Sequence, residues 1–161
     1  MSALMKRLAH DGRVYVHSGQ LLSTTAGING IRAAVAAEVH VVLRRLWRDW
    51  ERYATGSEGL SSAQQFEAAL ETFTADQAAE LMGRFASECL VGPRATFMER
   101  AEADTVVHRV VELLGPDAHW WSNYDSETEG AYTCITACTF DGIVTGTDGR
   151  HFIVLIQVGE D

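Results

Sequence analysis

Lysine is nearly missing from this chain: Lys6 stands alone against twelve arginines, which together with abundant alanine makes a GC-rich bacterial source the expectation. No apolar run approaches the roughly 18 to 20 residues that a membrane span needs. The opening segment MSALMKRLAHDGR has neither an apolar h-region nor a small-residue cleavage site, so a cytoplasmic protein is expected. The three cysteines, Cys89, Cys134 and Cys138, are an odd number and no disulfide framework, which fits a reducing compartment. Catalytic signatures are absent too: there is no C-x-x-C, G-x-S-x-G or H-E-x-x-H. The loop SGQLLSTTAGING lacks the Gly-Lys-Ser/Thr ending of a phosphate loop. Sequence therefore assigns no catalytic residue, no metal ligand and no cofactor.

What is present is the material of one domain. The 161 residues are 47% hydrophobic with a mean hydropathy of -0.05, enough to bury a working core, and residues 1–161 are expected to form a single α+β domain. Charge is spread unevenly. Residues 1–54 hold eight basic and four acidic side chains, a balance of +4, whereas 55–161 hold five and eighteen, a balance of -13, within a net charge of -9. A phosphate backbone would meet repulsion over most of such a surface, which argues against direct nucleic-acid binding, while a basic protein would be attracted to the C-terminal two thirds. Net charge also keeps a chain soluble, and taken alone it argues no more than that.

Periodicity predicts helices first and strands afterwards. GRVYVHSG (12–19) alternates as a short strand able to join a sheet. Ile31, Val35, Val39, Val42, Leu46, Trp50 and Tyr53 form one helical stripe, widened by Val41, Leu43 and Trp47. Ser61 or Ser62 with Gln64 or Gln65, and Thr74 with Gln77, have capping-box spacing and start two more helices, with Phe66, Ala69, Leu70 and Phe73 inward on the first. A fourth helix carries Phe97, Ala101, Val106, Val107, Val110, Val111 and Leu114 and stops at Gly115-Pro116. From Gly130 the period becomes two: AYTCITACTF reads as a strand, Asp141-Gly142 as a turn or bulge, and Asp148-Gly149 as the turn of a hairpin leading into HFIVLIQV. The expected fold is thus about four helices followed by a C-terminal antiparallel meander or hairpin.

Three rows of side chains invite a chemical reading. Asp104, His108 and Glu112 lie four apart on one helix, but the row spans about 12 Å, too far for one ion to touch all three, and a solvated face is the stronger reading. Arg44, Arg48 and Arg52 could hold phosphates, though intramolecular pairing competes. Cys134 and Cys138 on one strand would sit about 13 Å apart, beyond bridging distance.

The segment HWWSNYDSETEG (119–130) is the remaining candidate. Trp120, Trp121 and Tyr124 precede Asp125, Glu127 and Glu129 in what reads as the joint between the last helix and the sheet. One tryptophan is expected to close the core; adjacent residues of an extended chain face opposite sides, so another ring is expected on the surface. Exposed rings beside carboxylates suit recognition of a cationic protein, with Asp148 on the same acidic surface. The functional expectation is an interaction domain that binds and neutralises a basic partner, a toxin for instance, analogous in size and charge to immunity proteins and antitoxins. The alternative is a small ligand-binding or enzymatic domain with Tyr132, Phe140, His151 and the tryptophans around a pocket between helices and a curved sheet.

Overall fold

A computed structural model describes residues 1–22, 27–50, 62–92, 96–128 and 130–160, with the side chains of residues 29 and 48–50 outside the description. In chain order the elements are α1 (Ser2–Arg7), β1 (Val14–Gln20), α2 (Gly27–Trp50), α3 (Ala63–Ala68), β2 (Glu71–Phe73), α4 (Ala75–Ser87), α5 (Arg100–Leu114), β3 (His119–Ser122), β4 (Phe140–Thr147) and β5 (His151–Gly159). The class is α+β, with one five-stranded sheet in the order β1-β5-β4-β3-β2, antiparallel at every pairing.

The sheet lies between two layers of helices. Against one face pack α1, α4 and α5, whose Met5, Met82, Phe85, Val106 and Val110 meet Trp120, Val144, Ile153 and Leu155. Against the other pack α2 and α3, whose Val35, Val39, Val42 and Phe66 meet Trp121, Ile143, Phe152, Val154 and Ile156. Strand β5 runs through the middle of this sandwich, and its residues 152–159 are all buried. A strand covered on both faces reads as a near-continuous apolar run, and FIVLI (152–156) with Val158 supplies it, the buried polar exception being Gln157.

Capping residues start α3 and α4 where their spacing predicts. Ser62 caps α3, its hydroxyl accepting from the Gln65 N–H at 3.2 Å. Thr74 and Gln77 form a reciprocal capping box at the start of α4 (3.2 and 2.9 Å), which satisfies two orphan amides. At the other end of α4, the buried Gln157 of β5 donates from Nε2 to the Phe85 carbonyl at 2.7 Å and the Glu88 carbonyl at 2.5 Å, tying the helix terminus to the sheet. Arg32 of α2 does the same for α3, donating to the carbonyls of Glu67 and Leu70.

Several sequence expectations are corrected here. The helix read through Phe73 ends at Ala68, and Glu71–Phe73 instead pairs with β3 as an edge strand. AYTCITACTF is not a strand before Phe140; residues 133–139 form a loop in which the Ile135 and Thr136 amides bond to the Asp141 carboxylate rather than to a neighbouring strand. Asp141-Gly142 is neither turn nor bulge but ordinary ladder, opposite Val158 and Gln157. Gly142 is required there because a Cβ would strike the Phe85 ring. On α2 the stripe holds for Val35, Val39, Val42 and Leu43, but Val41 is 44% exposed. The side chain of Trp50 and all of Tyr53 lie outside the described residues.

Candidate functional site

The stretch 119–124 is a sheet element, not a joint. His119–Ser122 is β3, paired with Thr147–Val144 of β4 on one side and with β2 on the other. Trp120 and Trp121 do point to opposite sides, as an extended chain requires, but both sides are covered. Trp120, Trp121 and Tyr124 are 1%, 2% and 6% exposed. The expected surface ring is therefore absent: all three are core residues in this structure.

Beyond β3 a buried polar network sets the path of the chain. Asn123 accepts the Ile143 N–H at 2.7 Å and donates to the Thr133 carbonyl at 2.9 Å and to Asp141 Oδ1 at 2.8 Å. Asp141 Oδ2 accepts from the amides of Ile135 and Thr136 at 2.9 and 2.6 Å and from the Thr136 hydroxyl at 2.8 Å. Burial pushes the Asp141 carboxyl above its ordinary range, with these donors acting against the shift. No cation takes part in the hydrogen bonds of this carboxylate among the described residues, so its donors are what make its burial tolerable. The network folds the 131–139 loop back and brings Tyr132 onto Tyr124, with ring centroids 5.1 Å apart and planes at 15°. Arg84 of α4 lies over the Tyr124 ring at 5.6 Å and the Phe85 ring at 5.8 Å. Burial pushes the Tyr124 hydroxyl up to about 12.

The aromatic pedestal carries an acidic turn. Asp125 accepts the amides of Glu127 and Thr128 at 2.7 and 2.9 Å, which hold its carboxyl below its ordinary range. Asp125 and Glu127 are both exposed. Asp125 shares a hollow of about 160 Å³ with Phe73, Glu80 and Arg84 of the facing elements. Across α4 and α5, Arg100 is shared by three carboxylates, Glu80 at 2.8 Å, Asp104 at 2.7 Å and Glu88 at 3.6 Å. Glu129 lies outside the described residues. Asp148 is not part of this face: β3 leaves the sheet opposite Val144, four residues and so about 13 Å along β4 from Asp148. Its carboxylate is instead occupied locally, accepting from the amides of Arg150 and His151 at 2.7 and 2.6 Å.

The other rows are dispersed. Asp104 is drawn to Arg100, the His108 ring nitrogen lies 2.7 Å from the Asp104 carbonyl, and Glu112 pairs with Arg109 at 2.7 Å. Among the described residues no three His, Cys, Asp or Glu side chains gather to hold a metal ion. Arg44 is exposed, while the Arg48 side chain and Arg52 lie outside the description. Cys89, Cys134 and Cys138 are free thiols. Of the pocket residues expected, Tyr132 and Phe140 do line a hollow of about 350 Å³, together with Arg84, Phe85, Glu88 and Tyr124. His151 belongs to the opposite end of β4 and β5, opposite Gln20. Arg84 had no sequence signal, since one arginine on an amphipathic helix looks like any solvated residue.

The fold thus defines an antiparallel α+β sandwich with helices on both faces and an acidic turn at one end of the sheet. No protein-family model, curated protein or solved structure matches the chain significantly, and no helix among the described residues is long and apolar enough to cross a membrane.

Proposed function

We propose that this chain is an interaction domain that binds and neutralises a basic protein, in the manner of immunity proteins and antitoxins. The observation carrying the reading is a gathering of carboxylates: three share Arg100, and one of these, Glu80, lines the same hollow as Asp125, which with exposed Glu127 sits on a turn above a stacked aromatic base. Such a gathering steers a cationic partner and selects it by charge. The buried rings support it from beneath and do not serve as surface anchors. The test is capture from native extract with the wild-type chain and with the folded Asp125/Glu127/Glu129→Ser variant. A basic protein should be retained by the first, lost by the second, and associate more slowly as salt rises. Equal retention by both, with equal salt dependence, would sink the reading.

A second reading is favoured by the hollow around Arg84, whose guanidinium and aromatic walls suit a small planar anion. Benzoate and related aromatic carboxylates should then raise the melting temperature of the wild type and not of Arg84→Gln.

A further inference from the structure

The far edge of the sheet carries opposite charge and an open ladder. Strand β1 is the terminal strand of the sheet, and among the described strands it pairs with β5 alone. Its register places Val14 opposite Gln157 and Gln20 opposite His151. The Arg13 carbonyl accepts from the Val158 amide at 3.0 Å and the Leu21 amide donates to the Arg150 carbonyl at 2.7 Å, so odd-numbered residues from 13 to 21 direct their backbone groups into the sheet. By the alternation of antiparallel ladders, Val14, Val16, Ser18 and Gln20 direct theirs outward. Val14 is satisfied by His10, with N–H to carbonyl distances of 2.8 and 2.9 Å in the two directions. The outward N–H and C=O of Val16 and Ser18 have no backbone partner among the described residues.

Val16 lies on the floor of a groove of about 530 Å³ that straddles the strand edge, and Ser18 continues the open ladder beyond it. Lys6 and His10 form one wall, at the α1 side, and Val42, Arg45 and Leu46 of α2 form the other, with Tyr15 and His17 reaching toward that side. Among the described residues Asp11 is the one carboxylate lining it. The ion pairs among the described residues involve neither Lys6 nor Arg45.

We infer that this groove takes an extended acidic segment of a partner protein, added as a sixth strand against β1. Backbone bonding to Val16 and Ser18 would supply the register, and Lys6 and Arg45 would flank acidic side chains of the incoming strand. A second copy of this chain is the poorer occupant. Two-fold β1-to-β1 pairing would bring both cationic walls together, and β2, the other edge, offers only three residues. The site is separate from the acidic face, since β1 and β2 are opposite edges of the sheet.

The experiment titrates the whole chain against a fluorescein-labelled peptide of alternating glutamate and valine, read by anisotropy. Two controls are the same peptide N-methylated at alternate residues and a lysine-valine counterpart. Saturable binding is expected for the acidic peptide alone. Ser18→Pro removes an outward N–H without touching the β1–β5 ladder, and with N-methylation it should weaken binding by about tenfold or more. Lys6→Glu/Arg45→Glu, both exposed positions, should weaken it likewise while the melting temperature holds. Absence of binding overturns the inference. So does binding indifferent to N-methylation and Ser18→Pro, which would be charge attraction alone, or sedimentation as a dimer that Ser18→Pro dissociates.

Discussion

Gly146→Ala is the smallest change that tests how β3 is packed. Gly146 lies directly opposite Trp120 across the β3–β4 ladder. A Cβ there would press on the indole six-membered ring at Cε3, Cζ3 and Cδ2, well inside van der Waals contact. Trp120 is 1% exposed and belongs to the cluster of α4, α5 and the sheet, so it has no free volume to retreat into. Overpacking of this kind costs about 1–3 kcal/mol, and the entropy recovered on replacing glycine in a strand offsets about 0.5–1 kcal/mol of that. The net loss should be about 1–2 kcal/mol, which at an m-value of about 2 kcal/mol/M lowers the urea midpoint by about 0.5–1 M. Trp120→Ala should cost about 3–5 kcal/mol through its cavity. In the double variant the new methyl occupies space the ring has left, so the two losses should fall short of their sum by about 1 kcal/mol or more. A wild-type midpoint for Gly146→Ala, or strict additivity, would refute the packing of Trp120 against Gly146 on this face of the sheet.

Two further outcomes follow from the titratable groups. Burial acts to raise the Asp148 carboxyl, but the amides of His151 and Arg150 and the His151 ring outweigh it and hold the carboxyl below its ordinary value of 3.8. Its stabilising contribution is therefore complete above the unfolded pKa and is lost as pH falls through the folded one. The stability difference between wild type and Asp148→Ala should shrink from about pH 5 downward, and a difference that widens on acidification would contradict the turn geometry. Among the thiols, burial pushes Cys138 up to about 11, whereas Cys134 is exposed. Iodoacetamide mapping of the native protein should label Cys134 well before Cys138; equal rates would mean that the 131–139 loop does not stay closed on Asp141.

Local chemistry was legible in the sequence, and layer order was not. The Thr74–Gln77 box, the Asp148-Gly149 turn and the stop at Gly115 each depend on a few adjacent backbone groups, and all three stand where spacing puts them. Periodicity also found α2 and β1, because a buried stripe or alternating face is written in consecutive residues. Alternation misled at 131–140, where amides that could have joined a ladder are claimed by Asp141, a residue whose burial only the assembled sheet creates. The two tryptophans are the sharpest case. Sequence determined that Trp120 and Trp121 face opposite ways, since that is a property of an extended chain. Whether the second side meets water depends on what another part of the chain lays over it. The continuous apolar run of β5 carried a hint of two covered faces, but only the tertiary structure, by placing α2 and α3 against one face and α4 and α5 against the other, turned both rings into core.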